Sequence, residues 1–208
     1  MARLSQIRKT AAYYLTEPVV RLLDKTSISP NTITWFGFLL AIGAAGLIVT
    51  GHLFAAGFMV LIAGFLDILD GALARRTNQT TRSGAVLDST VDRLSEAVVL
   101  LGILALFLLT EEDSLFTLLA REWAILLVGV VLLGSPLVSY IRARAEALGM
   151  ECQVGIFTRA ERVFVLALGL LLSQIDGALI IALAIIAVLS LVTVGQRLIY
   201  VWQQTKIR

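Results

Sequence analysis

Long apolar runs constrain this chain more than any other feature of its sequence. Six mainly apolar segments alternate with polar stretches and cover, approximately, residues 33–51, 53–74, 85–109, 120–141, 160–175 and 177–200. A helix needs roughly 20 apolar residues to cross a bilayer. Only 15% of the 208 residues are charged, whereas soluble domains have about 25%. The sequence therefore predicts an all-α integral membrane protein with six transmembrane helices.

The first 26 residues have a different composition. They mix apolar residues with a proline and several cations, and they lack the short apolar core and small-residue cleavage site of a signal peptide. This pattern predicts an amphipathic interfacial helix over residues 1–26, followed by a single six-helix transmembrane domain over residues 27–208. The basic residues of the segment are Arg3, Arg8, Lys9, Arg21 and Lys25.

The distribution of positive charge predicts the orientation, because cytoplasmic loops of membrane proteins are enriched in Lys and Arg. Of the 17 Lys and Arg residues, only Arg121 falls near the side opposite to the N-terminus. The acidic residues 111–113 also fall there. We therefore expect a multi-pass protein of the cytoplasmic membrane, with both termini and the active site at the cytoplasmic face.

Scarce cysteine and histidine exclude several kinds of site. Cys152 is the one cysteine and His52 the one histidine, so an internal disulfide framework cannot form. Zinc chemistry and a Ser-His-Asp triad are disfavoured for the same reason.

Four aspartates near the ends of the second and third apolar runs are the main candidate site. Asp67 and Asp70 are three residues apart, and Asp88 and Asp92 are four apart, so each pair shares one helix face. The short loop between the two runs predicts antiparallel, neighbouring helices whose aspartates converge. Carboxylate oxygens suit Mg²⁺ or Mn²⁺. Two such ions can stabilise the attacking and the leaving oxygen atoms of a phosphoryl transfer. The alternative interpretations of the four aspartates are an ion pathway of an ion-coupled transporter and a structural salt-bridge cluster.

Small residues accompany these aspartates along both helix faces. Gly71, Ala74 and Gly84 permit close approach of a helix or a ligand, and Arg75 is suited to bind a phosphate or an aspartate. The sequence therefore predicts room for a nucleotide and its pyrophosphate beside the carboxylates.

The pattern D-x2-D-G-x2-A-R-x8-G-x3-D-x3-D, from Asp67 to Asp92, resembles the signature of the CDP-alcohol phosphotransferase family at every position. The resemblance implies transfer of a substituted phosphate group from a CDP-linked donor to an alcohol, with release of CMP. It implies two metal ions bound by Asp67, Asp70, Asp88 and Asp92, with Asp92 also acting as general base. The implied contacts of the CDP-lipid are Pro30, Asn31, Thr32, Ile33, Gly71, Ala74, Arg75, Thr81 and Gly84.

The stretch from Ser139 to Phe164, together with Arg197, is similar to the prokaryotic phosphatidylinositol phosphate synthases of that family. This similarity implies CDP-diacylglycerol, or a CDP-archaeol-type lipid, as donor and inositol phosphate as acceptor. Arg142, Arg162 and Arg197 are expected to bind the acceptor phosphate, although Arg142 stands where that branch often has lysine. Glycerol 3-phosphate is the alternative acceptor, because arginines bind both phosphates equally well.

Three further expectations concern neighbours and partners. Glu96 is expected to pair with a nearby arginine or to hydrogen-bond behind the metal site, and Arg144 and Glu146 to form structural pairs. The family resemblance implies a homodimer in the lipid bilayer, and no nucleic-acid partner is expected.

Overall fold

The computed structural model of the protein describes residues 16–24, 26, 28–110 and 113–206. Residues 16–23 are helical, and the part of the chain described contains no strand. Six long helices follow: α1 (Pro30–Val49), α2 (Leu53–Arg76), α3 (Arg82–Leu109), α4 (Arg121–Ala147), α5 (Arg159–Leu171) and α6 (Ala178–Lys206), with a 3-10 helix at Asp113–Phe116.

Local capping fixes the start of the two helices that follow polar stretches. Ser29 caps α1, where its hydroxyl accepts a hydrogen bond from the Thr32 amide at 3.2 Å, and Pro30 occupies the first turn. Proline suits this position because the first turn needs no amide donor. Thr81 caps α3 by accepting from the Gly84 amide at 3.0 Å. Both caps place residues predicted to bind the CDP-lipid at helix N-termini.

The six helices pack as a closed ring around a central cavity. In spatial order the ring runs α1–α2–α5–α6–α4–α3 and returns to α1. The central cavity is lined by residues of all six helices. Near the aspartates its lining is polar, and towards Leu100, Leu166 and Ile186 it is apolar.

The predicted contact between α2 and α3 is wrong. These helices are not among the pairs that pack extensively, and α1 instead packs against both of them. A close approach permits this arrangement: a Cβ atom added to Gly102 of α3 would lie 2.9 Å from the Cα atom of Ala45 in α1. Ala45 thus serves packing between α1 and α3, and α1 lies between α2 and α3 in the ring.

Four helices, α1, α2, α4 and α6, are long and apolar enough to cross a membrane. α3 has 28 residues but carries the charges of the candidate site, and α5 has only 13 residues, about 20 Å. The predicted fifth span, 160–175, therefore extends too far, because the helix ends at Leu171 and Gly177 adopts a positive φ of 76° in the following turn. α4 and α6 are longer than predicted, since their polar ends continue as helix.

Large apolar side chains are exposed around the outside of the ring, including Leu133 with 72% and Trp123 with 63% of its surface exposed. Exposed apolar area of this extent marks an interaction with lipid or protein. Together with the long apolar helices, it indicates a membrane protein.

The described part of the N-terminal segment docks onto the ring. Val20 is buried against Ile33, Leu69 and Leu73, directly behind the aspartates of α2. Arg76 makes ion pairs with Glu17 at 2.9 Å and Asp24 at 3.0 Å. The hydrogen bond from Arg21 has the largest effect in lowering the pKa of Glu17, and the hydrogen bond from Arg76 has a smaller effect in the same direction. Residues 1–15 of the predicted interfacial helix lie outside the described residues.

Candidate functional site

Three of the four aspartates form a compact carboxylate cluster. Asp67, Asp70 and Asp88 each offer an oxygen atom, and these atoms lie within 4.8 Å of one another. Asp70 is buried, and the other two side chains are half-buried. Three carboxylates this close repel one another, and oxygen ligands at such spacing suit a hard divalent cation. The donor set therefore fits a divalent metal.

Thr34 of α1 supports this cluster and was not predicted as a polar contact. Its hydroxyl donates a hydrogen bond to Oδ2 of Asp70 at 2.5 Å, and both residues are buried. The contact joins residues 36 positions apart. Because a buried carboxylate needs hydrogen-bond donors, this hydroxyl holds the Asp70 side chain in place.

Arg159 bridges the cluster and the fourth aspartate. Its Nη1 atom contacts Asp67 and lies 2.9 Å from Oδ1 of Asp92. Arg159 is the first residue of α5, where a capping box between Thr158 and Glu161 fixes the helix start. Arg159 lies within the stretch from Ser139 to Phe164, but the sequence did not predict this role.

A second cavity, which we call the signature cleft, opens on the other side of Asp70. It measures about 540 Å³, and its lining includes seven of the residues predicted to bind the CDP-lipid: Pro30, Asn31, Gly71, Ala74, Arg75, Thr81 and Gly84. Ile33 lines the central cavity instead. Thr32 lines neither of these two cavities and bonds to Ser29.

The glycines of the signature keep this cleft open. A Cβ atom on Gly84 would lie 2.9 Å from the Thr81 hydroxyl and 3.6 Å from the Asn31 side chain. On Gly71 it would lie 3.4 Å from Nη1 of Arg75. A side chain at Gly84 would therefore push into the cleft wall.

The three predicted acceptor arginines occupy different environments. Arg162 is buried and lines the central cavity. Arg197 is also buried, but its guanidinium donates to the backbone carbonyl of Val154 at 2.9 Å and to that of Val138. Arg142 is exposed and bonds to Glu146 at 2.8 Å. The structure thus places only Arg162 of the three on the central cavity.

Comparison with known proteins identifies the family of the chain. Residues 27–202 match the family model described as CDP-alcohol phosphatidyltransferase. The archaetidylinositol phosphate synthase of Methanothermobacter thermautotrophicus is 38% identical over 91% of this chain and 93% of its own length. The phosphatidylinositol phosphate synthase of Mycobacteroides abscessus is 35% identical over 88% of this chain and 82% of its own length.

Solved structures of the phosphatidylinositol phosphate synthase of Mycobacterium tuberculosis share the fold. The form with CDP-DAG bound has a TM-score of 0.79 and 33% identity, covering 91% of this chain and 94% of that chain. The form with manganese and citrate has the same TM-score and identity, covering 90% and 88%.

The helix ring and its carboxylate cluster are those of a membrane-associated transferase that forms phospholipids. The chain belongs to the CDP-alcohol phosphatidyltransferase family, and the resemblance inferred from its signature is confirmed.

Proposed function

We propose that this protein transfers a phosphatidyl group, or its archaeal ether-lipid counterpart, from a CDP-linked lipid to inositol phosphate, with release of CMP. The observation that carries the proposal is the position of the carboxylate cluster. It lies between the signature cleft and the central cavity, because Asp70 lines both. Relatives named for the same product, at 33–38% identity over most of the chain, support the acceptor.

We infer that Asp67, Asp70, Asp88 and Asp92 hold two divalent ions, Mg²⁺ or Mn²⁺. The spacing of the first three oxygens supports this, as does the manganese in the mycobacterial structure. Such ions, when bound, neutralise the negative charge of a pyrophosphate and its leaving group.

The signature cleft is the proposed site for the CDP part of the donor. Its glycines leave space for the nucleotide, and the Arg75 guanidinium is suited to bind a phosphate. The proposed contacts are Pro30, Asn31, Thr32, Ile33, Gly71, Ala74, Arg75, Thr81 and Gly84, of which Thr32 and Ile33 rest on the resemblance alone.

The central cavity is the proposed site for the acceptor alcohol. Asp92 lines it and accepts the proton of the attacking hydroxyl, while Arg159 holds the Asp92 carboxylate in place. The acceptor oxygen forms a bond to the lipid-side phosphorus, the bond from that phosphorus to the CMP oxygen breaks, and CMP leaves. Arg142, Arg162 and Arg197 are the proposed ligands of the acceptor phosphate.

We also propose how the protein is placed in the membrane and how it assembles. Four apolar helices together with α3 and α5 make up six membrane crossings within residues 27–208, and residues 1–26 lie at the interface. Both termini and the active site face the cytoplasm, by the positive-inside rule, and the enzyme is a homodimer of the cytoplasmic membrane.

An acceptor panel tests the proposed function. Purified protein with CDP-diacylglycerol and Mg²⁺ or Mn²⁺ should release CMP with inositol phosphate, and EDTA should abolish the release. Free inositol, serine and choline serve as controls that lack the phosphate. Faster turnover with glycerol 3-phosphate would establish the alternative acceptor, and ion flux across vesicles without CMP formation would establish a transporter.

A further inference from the structure

A buried ion pair crosses the central cavity between α3 and α5. Glu96 and Arg162 leave only 9% and 2% of their surfaces exposed. Nε of Arg162 donates to Oε1 of Glu96 at 2.7 Å, and Nη2 donates to Oε2 at 2.9 Å. Both residues line the central cavity, although α3 and α5 are not neighbours in the ring. The prediction that Glu96 pairs with an arginine is therefore confirmed.

The pair leaves one nitrogen of the guanidinium unused. Arginine has N–H donors on three nitrogens, and Glu96 accepts from two of them. The third, Nη1 of Arg162, is fully buried and has no hydrogen-bond partner within the described parts of the chain. A buried charged donor without an acceptor is costly, and a bound anion would remove that cost.

Two arginines on α5 have different partners in the cavity. Arg159 and Arg162 are three residues apart and share a helix face. Arg159 contacts Asp67 and Asp92, whereas the ion pair of Arg162 within the described residues is with Glu96. The Arg162 guanidinium is thus not used by the carboxylate cluster.

We propose that Glu96 is a positioning residue for the acceptor phosphate. It fixes the plane of the Arg162 guanidinium, so that Nη1 donates to the phosphate in the central cavity, and it balances the arginine charge when the cavity holds no anion. Glu96 itself touches no substrate. This inference rests on the proposed function, in which Arg162 binds the acceptor phosphate.

Glu96→Gln is the first test, because an amide can accept one of the two hydrogen bonds but not both. Losing one charge-assisted hydrogen bond should raise the KM for inositol phosphate about tenfold. The KM for the CDP-lipid and kcat at saturating acceptor should stay within about twofold. Glu122→Gln, the same change at an exposed position in α4, is the matched control. An equal rise in both KM values would overturn the proposal.

A double-mutant cycle separates positioning from general stability. In an Arg162→Ala background, Glu96→Gln should change the acceptor KM by less than about twofold, because its effect passes through Arg162. A tenfold effect that persists in this background would show that Glu96 acts elsewhere.

If the single variants fail to fold, the pair can be replaced as a unit. Removing one member leaves an uncompensated buried charge, whereas an apolar replacement of both is often tolerated. The double variant Glu96→Leu, Arg162→Met should fold but lose the affinity for the acceptor phosphate. An unchanged acceptor KM in this folded variant would refute the proposal.

Inorganic phosphate gives a readout that needs no turnover. Phosphate should raise the Tm of the unmodified protein, and the half-saturating concentration should rise about tenfold in Glu96→Gln. An equal phosphate response in both proteins would reject the inference, while CMP release by the unmodified protein would leave the proposed function standing. Absence of CMP release with every acceptor would reject the proposed function, and the phosphate response would still decide the role of Glu96.

Discussion

The hydrogen bond from Thr34 to Asp70 predicts that a residue outside the carboxylate cluster controls metal affinity. Thr34→Val keeps the shape of the side chain but removes the donor that lies 2.5 Å from Oδ2 of Asp70. A hydrogen bond to a charged group contributes about 1.5–3 kcal/mol. If all of this free energy is lost from metal binding, the metal affinity falls by about 10- to 100-fold. This range is typical for the loss of residues that orient metal ligands.

Two assays together measure this effect. The EPR signal of free Mn²⁺, measured during a titration of the protein, gives the dissociation constant of Mn²⁺ without turnover. CMP release as a function of Mn²⁺ gives the activation midpoint, which should rise by the same factor while kcat at saturating metal changes little. Thr34→Ser keeps the hydroxyl and should restore the original affinity.

Thr50→Val is the matched control for the loss of a threonine hydroxyl. Thr50 bonds to Gly46, Leu47 and His52 in the turn between α1 and α2, about 25 Å along the helix axis from the cluster. An Mn²⁺ affinity that stays within twofold in Thr34→Val, or that falls equally in Thr50→Val, would refute the reasoning.

Three further predictions follow from the same packing. Asp92→Asn should lower kcat by about 10²- to 10⁴-fold and weaken Mn²⁺ binding less than Asp70→Asn does; near-normal CMP release would contradict the base assignment. Gly102→Ala should lower the Tm because its methyl group would collide with the backbone of α1, whereas Gly46→Ala, with no atom within 4 Å of the added carbon, should leave the Tm unchanged or raise it. Val20→Asn should release the N-terminal segment from α1 and α2 and speed tryptic cleavage there, and an unchanged cleavage rate would show that burial of Val20 does not hold the segment.

Local spacing in the sequence was enough to predict one part of the carboxylate cluster. Asp67 and Asp70 share a face because they are three residues apart on one helix, and this follows from helix geometry alone. The approach of Asp88 to Asp67 and Asp70 also depends on how the helices pack. This contact was predicted correctly, but from an assumption that is wrong. The short loop suggested that α2 and α3 touch, whereas the structure joins them through α1.

The contacts of the arginines could not be predicted in the same way. Arg159 lies 92 residues from Asp67, and Arg162 lies 66 residues from Glu96, so no periodicity links either pair. Their partners depend on the order of helices in the ring, which places α5 between α2 and α6, with α3 on the other side of the central cavity. Arg142 and Glu146 are four residues apart on one helix, so the contact between them can be predicted from their spacing alone.

The wall between the two cavities links the two halves of the site energetically. Thr34 and Asp70 line both the signature cleft and the central cavity, so a ligand that orders the Asp70 side chain from one side orders it for the other side as well. Binding of the first ligand then includes the loss of conformational entropy of that carboxylate, and binding of the second ligand does not. Reciprocity requires each ligand to strengthen the binding of the other by the same factor, so two ligands coupled in this way would need no movement of a helix.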